Sequence, residues 1–109
     1  MYAINEGRVE INSVPVETFE REVRDGKTAL RVQAGTTGYR GGGRAAGGRT
    51  YMRINCFSGD FYFRPVRNRK GKLVGTEVAA CGDEGLNALM KALEFACRAM
   101  NDQRCEADD

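Results

Sequence analysis

The sequence predicts an α+β domain: an antiparallel β-sheet covered on one face by a C-terminal α-helix, with a glycine-rich loop joining two of the strands. Three observations predict it. Short stretches of period-two alternation recur between residues 8 and 80, each bounded by turn residues. The clearest helical pattern follows Asp83 and runs toward the C-terminus. Between two of the better strands lies GTTGYRGGGRAAGGRTY (35–51), with seven glycines in its first fourteen residues and no acid.

The elements follow in order. RVEIN (8–12) alternates and reads as a short strand. PVETFEREVRDG (15–26) places Val16, Phe19 and Val23 at helical spacing, with Pro15 suited to a first helical position and Gly26 to a stop. That predicts a short helix, although an extended reading fits nearly as well. TALRVQA (28–34) is a strand. RTYMRINCF (49–57) follows the glycine loop, with Tyr51, Arg53 and Asn55 on one face and Met52, Ile54 and Cys56 on the other. SGD (58–60) turns the chain into DFYFRPV (60–66), where Pro65 marks an edge or a strand end. NRKGK (68–72) makes a hairpin loop into LVGTEVAA (73–80). Asp83 then suits an N-cap, and Leu86, Leu89, Met90, Leu93, Cys97 and Met100 form one apolar stripe, predicted to face the sheet. Asn87, Lys91, Glu94 and Arg98 line the opposite, polar face, and the acidic tail (102–109) is expected to fray.

A length of 109 residues fits one domain over 1–109, with no internal repeat or linker. Apolar residues make up 41% and charged residues 29%, a balance suited to a soluble globular protein. No apolar run approaches the roughly 20 residues that span a bilayer, and MYAINEGRVE does not read as a signal peptide. The four cysteines make no C-x-x-C pair and the chain has no histidine, which argues against a tetrahedral zinc site and fits reduced cysteines. Cys56 and Cys97, among apolar neighbours, read as buried filler. Without histidine the chain also lacks the commonest general base near neutral pH. No cofactor, metal or catalytic residue is expected.

The formal net charge of +2 hides a segregation. From Arg31 to Lys72 there are ten bases and one acid, Asp60; the remainder holds seven bases and fourteen acids. Thirteen of the seventeen bases are arginine, whose planar fork suits phosphate. An anionic partner is implied.

The glycine loop has several readings. Gly43 to Thr50 spells G-x-x-x-x-G-R-T, one substitution from a P-loop. A P-loop must open a helix, however, and TYMRINCF is β-branched, aromatic and of period two. A disordered glycine/arginine tract would be longer and repetitive. Inert slack leaves the arginines without a purpose. A pocket for a small phosphate-bearing ligand uses every part. Thr36 and Thr37 offer hydroxyls, and Gly38, Gly41, Gly42, Gly43, Gly47 and Gly48 offer bare N–H groups. Arg40, Arg44 and Arg49 offer charge, Thr50 a further hydroxyl, and Tyr39 and Tyr51 rings for a base. No nucleophile is set beside a base, so binding without turnover is the natural inference.

VQAGTTGYRGGG…GGRTYMRI, a basic hairpin and GDEGLNALMKALEFACRAM together resemble the first type of phage Thoeris anti-defence protein over roughly residues 28 to 101. G-T-T-G-x-x-G-G and G-G-R-T-Y are the specific elements. The resemblance implies a nucleotide sponge of the host cytoplasm that binds immune second messengers and does not cleave them. It implies cyclic ADP-ribose isomers as ligand, and dimers or hexameric trimers of dimers. In some members it implies cyclic di- or trinucleotides, of the kind used in CBASS signalling, at a second inter-dimer site. Gly43 followed by Arg44 makes this loop more basic than the family pattern and leaves the ligand open.

Two arginines lie outside the loop. Arg98, on the polar helix face, is a candidate phosphate contact or a surface partner of Glu94. Arg24 is either ion-paired with Asp25 or, in an assembly, one of a ring of arginines around a multiply charged ligand. The rival reading is a single-stranded nucleic-acid module, with RTYMRINCF and DFYFRPVRNRK as a basic, aromatic sheet face.

Overall fold

The computed structural model describes residues 4–38 and 48–108, with side chains as far as Cys105. Strands β1 (Ile4–Ile11), β2 (Val14–Asp25), β3 (Thr28–Thr36) and β4 (Thr50–Ser58) form an antiparallel sheet in that spatial order. Strands β5 (Phe61–Arg67) and β6 (Leu73–Ala80) form a separate two-stranded ribbon, and helix α1 (Gly82–Asp108) packs on β3 and β2. The fold is α+β with the helix on one sheet face, as the sequence predicts. The strands divide into two sheets, a break that follows from Gly59 at φ +99° between β4 and β5.

Residues 15–26 are not a helix. Residues 15–25 belong to β2, paired with β1 along Val14–Arg21 and with β3 along Phe19–Asp25, and Gly26 lies in the turn that follows. The apparent helical period has a physical origin. Val16 and Thr18 are buried on one face of the strand, whereas Val23 is buried on the other, with Phe19 and Arg21 half-buried beside it. A strand that changes its buried face midway mimics a 3.6-residue period. Pro15 is tolerated because it lies in the stretch paired on one side only. The β1–β2 turn puts Asn12 and Ser13 at φ 50° and 70°, the left-handed pair that a two-residue hairpin requires.

The change of face reflects a curl of the sheet. Although β1 and β4 are its two edges, Arg49, just before β4, donates Nε–H to the Ile11 carbonyl at the end of β1 (3.2 Å). Where β2 and β3 part company, Gln103 of α1 takes the place of a ladder rung. Its Oε1 accepts from Thr36 N–H (2.9 Å) and its Nε2 donates to the Glu17 carbonyl (2.7 Å). A side-chain amide thus substitutes for a peptide group and pins the helix to both strands.

The core is formed by Leu30, Val32 and Ala34 of β3, Val23 of β2 and Phe61 of β5 beneath Ala88, Ala92 and Ala96 of α1. Ile54 and Cys56 pack against it, as the alternation of β4 requires. The helix stripe needs correction. Leu89 and Met100 pack against the core as predicted, but Leu86, Met90, Leu93 and Cys97 are exposed, and alanines fill most of the inner face. The sheet supplies the bulky side chains, so the helix approaches closely and small residues fill its inner face. Cys97 is therefore not buried filler, whereas Cys56 is half-buried. Asp83 is inside the first turn with Glu84, where both favour the helix dipole, rather than at the N-cap. Glu84 ties that turn to the sheet by accepting the Lys27 N–H (3.0 Å).

The β5–β6 ribbon closes through Asn68, whose Oδ1 accepts from Lys70 and Lys72 N–H (2.9 and 3.0 Å). On its surface Glu77 holds Arg64 (2.6 Å) and raises its already high pKa through that hydrogen bond and charge. Among the described residues, no helix is long and apolar enough to cross a membrane.

Candidate functional site

The structure separates the candidate residues into two places. At the neck of the glycine loop, Thr36, Thr37, Gly38, Gly48, Arg49 and Thr50 come together. Thr37 N–H donates to the Arg49 carbonyl (3.0 Å) and Arg49 N–H returns to Thr37 Oγ1 (2.9 Å). Thr36 Oγ1 donates to the Arg49 carbonyl (3.2 Å), accepts Gly38 N–H (3.1 Å) and shares a bond with Thr50 Oγ1 (2.9 Å). A Cβ on Gly48 would collide with the Gly38 carbonyl, so glycine there lets the two legs of the loop touch. The hydroxyls that the sequence suggested for a ligand are engaged in closing the neck. Arg49 likewise serves as the strap to Ile11, with Nη1 on the Gly48 carbonyl (3.3 Å). A small cavity of about 200 Å³ beside the neck is bounded by Thr36, Gly38 and Thr50 and by Met100, Asn101 and Arg104 of α1. Tyr51 is half-buried on the sheet face away from the helix, at the β4 position opposite Gly35. Tyr39, Arg40, Gly41, Gly42, Gly43, Arg44 and Gly47 lie outside the described residues.

The second place is larger. A groove of about 710 Å³ runs between β2 and α1, and both outlying arginines line it. Arg24 pairs with Glu22 (3.0 Å) rather than with Asp25, because residues two apart share a strand face while neighbours point oppositely. Lys91 of α1 donates Nζ–H to the Arg24 carbonyl (3.1 Å) and joins the two walls at that end. Arg98 makes no ion pair with Glu94 among the described residues, although Glu94 and Asp102 lie one turn to either side of it on the same groove wall.

Sequence reasoning missed the residue at the centre of the strand wall. Arg21 lies on the helix-facing side of β2, opposite Val32 and between Phe19 and Val23. Its Nε is buried with no hydrogen-bond partner among the described residues. A buried guanidinium nitrogen without an acceptor is costly, and an anion entering the groove would supply one. The signal was present in F-E-R-E-V: with period two, an arginine occupies an inward position between two apolar residues. It was masked by the helical reading of the segment.

Phe19 from the strand and Phe95 from the helix add rings to the same groove. Arg21, Lys91 and Arg98 share the groove with Glu94 and Asp102, an arrangement of donors for phosphate and carboxylate acceptors for hydroxyls, while the Glu22–Arg24 pair alternates to the other strand face and meets the groove at its rim. Among the described residues, no group of three His, Cys, Asp or Glu side chains is placed to hold a metal ion. Compared with family models, curated proteins and solved structures, the chain matches none.

Proposed function

We infer that this protein sequesters a small nucleotide-type ligand, without cleaving it, in the groove between β2 and α1. The observation that carries the inference is the buried Nε of Arg21, which lacks an acceptor in a groove that also presents Arg98 and two phenylalanine rings. A volume of about 710 Å³ is within the range of small-molecule sites and suits a ligand of dinucleotide size. The motif resemblance narrows the ligand to cyclic ADP-ribose isomers or cyclic oligonucleotides, and the biological role to a phage protein that silences such signals inside its host. Arg40 and Arg44 of the glycine loop are the second proposed contact, added to the arginines of the groove.

The test is direct. The protein is incubated with a panel of cyclic ADP-ribose isomers, cyclic dinucleotides and cyclic trinucleotides. Free ligand is removed, the protein is denatured, and the released molecule is identified. Intact recovery of one panel member is expected. Recovery of an altered product would mean an enzyme. No small ligand, together with tight oligonucleotide binding, would favour the single-stranded nucleic-acid reading.

A further inference from the structure

The two walls of the groove are tied at both ends, and the ties fix which side chains lie level with one another. At one end Lys91 donates to the Arg24 carbonyl, and at the other Gln103 donates to the Glu17 carbonyl, so β2 descends as α1 ascends. Arg21 is three strand residues from the first tie and Arg98 is seven helix residues from it, which is about 10 Å along either element. Arg21 and Arg98 therefore stand level at the middle of the groove, one on each wall.

Glu94 and Asp102 also line the groove, four residues to either side of Arg98 and so about 6 Å from it along the helix. That spacing is the one at which a carboxylate pairs with arginine on a helix. Among the described residues neither carboxylate makes an ion pair. Along its length the groove presents an acid, two facing arginines, and a second acid. With the Arg24–Glu22 pair at the rim set aside, the lining holds three bases and two acids. A simple anion trap would omit the acids, because each one weakens the field that draws phosphate in.

We propose, on the reading of this groove as the ligand site, that Glu94 and Asp102 are its specificity-determining residues. They act by repulsion, excluding ligands that end in a terminal phosphate, while the arginines between them hold a bridging one. A phosphate in a diester or a pyrophosphate bridge carries a single negative charge, whereas a terminal phosphate carries nearly two at neutral pH. A cyclic ligand has no terminal phosphate, and its charge is met by Arg21 and Arg98. A linear triphosphate extends further along the groove and brings its terminal phosphate beside a carboxylate, Glu94 in one direction and Asp102 in the other. At a separation of about 6 Å, repulsion between unit charges amounts to roughly threefold to a hundredfold in affinity, from bulk water to a protein surface. Discrimination of this kind needs an unfavourable contact with the wrong ligand as well as favourable ones with the right ligand.

The test uses the full chain and compares ATP and inorganic triphosphate with whichever cyclic panel member the protein retains. Glu94→Gln and Asp102→Asn each remove a charge but keep an oxygen acceptor, so a contact with a ligand hydroxyl survives. Wild type is expected to favour the cyclic ligand by about a hundredfold or more. In calorimetric titration each substitution should narrow that preference about tenfold, and the double variant about a hundredfold. Asp83→Asn changes the net charge equally, but Asp83 is in the first turn of α1 and does not line the groove, so the preference should stay as it is. A double variant that keeps the wild-type preference overturns this inference alone. So does Asp83→Asn acting as strongly as Asp102→Asn, and so does a wild type that binds the triphosphates as tightly as the cyclic ligand. A wild type that retains no panel member overturns the groove as the ligand site, and the role of Glu94 and Asp102 with it.

Discussion

At the residue scale, Arg21 is the position whose chemistry the fold leaves unfinished. If its Nε awaits an anion, then Arg21→Met should hold or raise the melting temperature, because a buried unsatisfied donor is removed and the aliphatic bulk is kept. The same substitution should weaken ligand binding by about 1.5–3 kcal/mol, the range of a charge-assisted bond. Arg98→Ala should weaken binding comparably with no change in the melt, since Arg98 is exposed and holds no ion pair among the described residues. Calorimetric titration beside a thermal melt reads both quantities. Binding and stability falling together would mark Arg21 as structural. Arg49 should behave in the opposite sense. Its guanidinium bonds the Ile11 carbonyl, so Arg49→Ala should lower stability by about 1–2 kcal/mol while ligand affinity changes little. A denaturant titration measures the first and the same calorimetry the second.

At the scale of elements, the junction of β2, β3 and α1 decides the shape of the groove. Gln103 bridges the Glu17 carbonyl and the Thr36 N–H. The wedge lies where Gly35 lets β2 approach, since a Cβ there would meet the Glu17 carbonyl. Gln103→Leu keeps the volume but removes both bonds, and should cost about 1–3 kcal/mol. Hydrogen exchange distinguishes this from a general loosening: the Thr36 amide should lose protection far more than amides at the centre of β3. Uniform loss across β3 would show that Gln103 only adds packing. The helix itself illustrates how packing allocates residues. Alanines at 88, 92 and 96 lie against the β3 side chains because the sheet already supplies the bulk. Leu86, Met90 and Leu93 are left on the outside.

At the scale of the whole molecule, charge segregation and salt response belong together. A module that tracks about six phosphates of a single strand should lose on the order of a thousandfold in affinity between 50 and 200 mM salt. An enclosed site for a ligand with two or three phosphates should lose far less, because its contacts are short and partly desolvated. Binding isotherms across that salt range, with a cyclic ligand and with an oligonucleotide, separate the two. A shallow slope for the small ligand is expected. A steep slope confined to oligonucleotides would move the function to the basic ribbon around Arg67, Arg69 and Lys70.

The sequence by itself determined the strand pattern of residues 28–80, the final helix, the charge segregation and two of the groove arginines. Those features are local: alternation and turn residues act within a few positions, and a linear reading captures them. The tertiary structure alone decided the rest. Residues 15–25 are a strand because β1 and β3 flank them, and no local propensity encodes both neighbours. Which helix face is inward depended on the bulk that β3 brings to the contact, so alanine displaced leucine. Thr36, Thr37 and Arg49 were legible as polar groups at the loop, but their partners are backbone atoms far apart in the sequence or across the neck. Arg21 became visible as a candidate contact only when β2 was placed beneath α1, because an unsatisfied buried nitrogen is a property of surroundings and not of a residue.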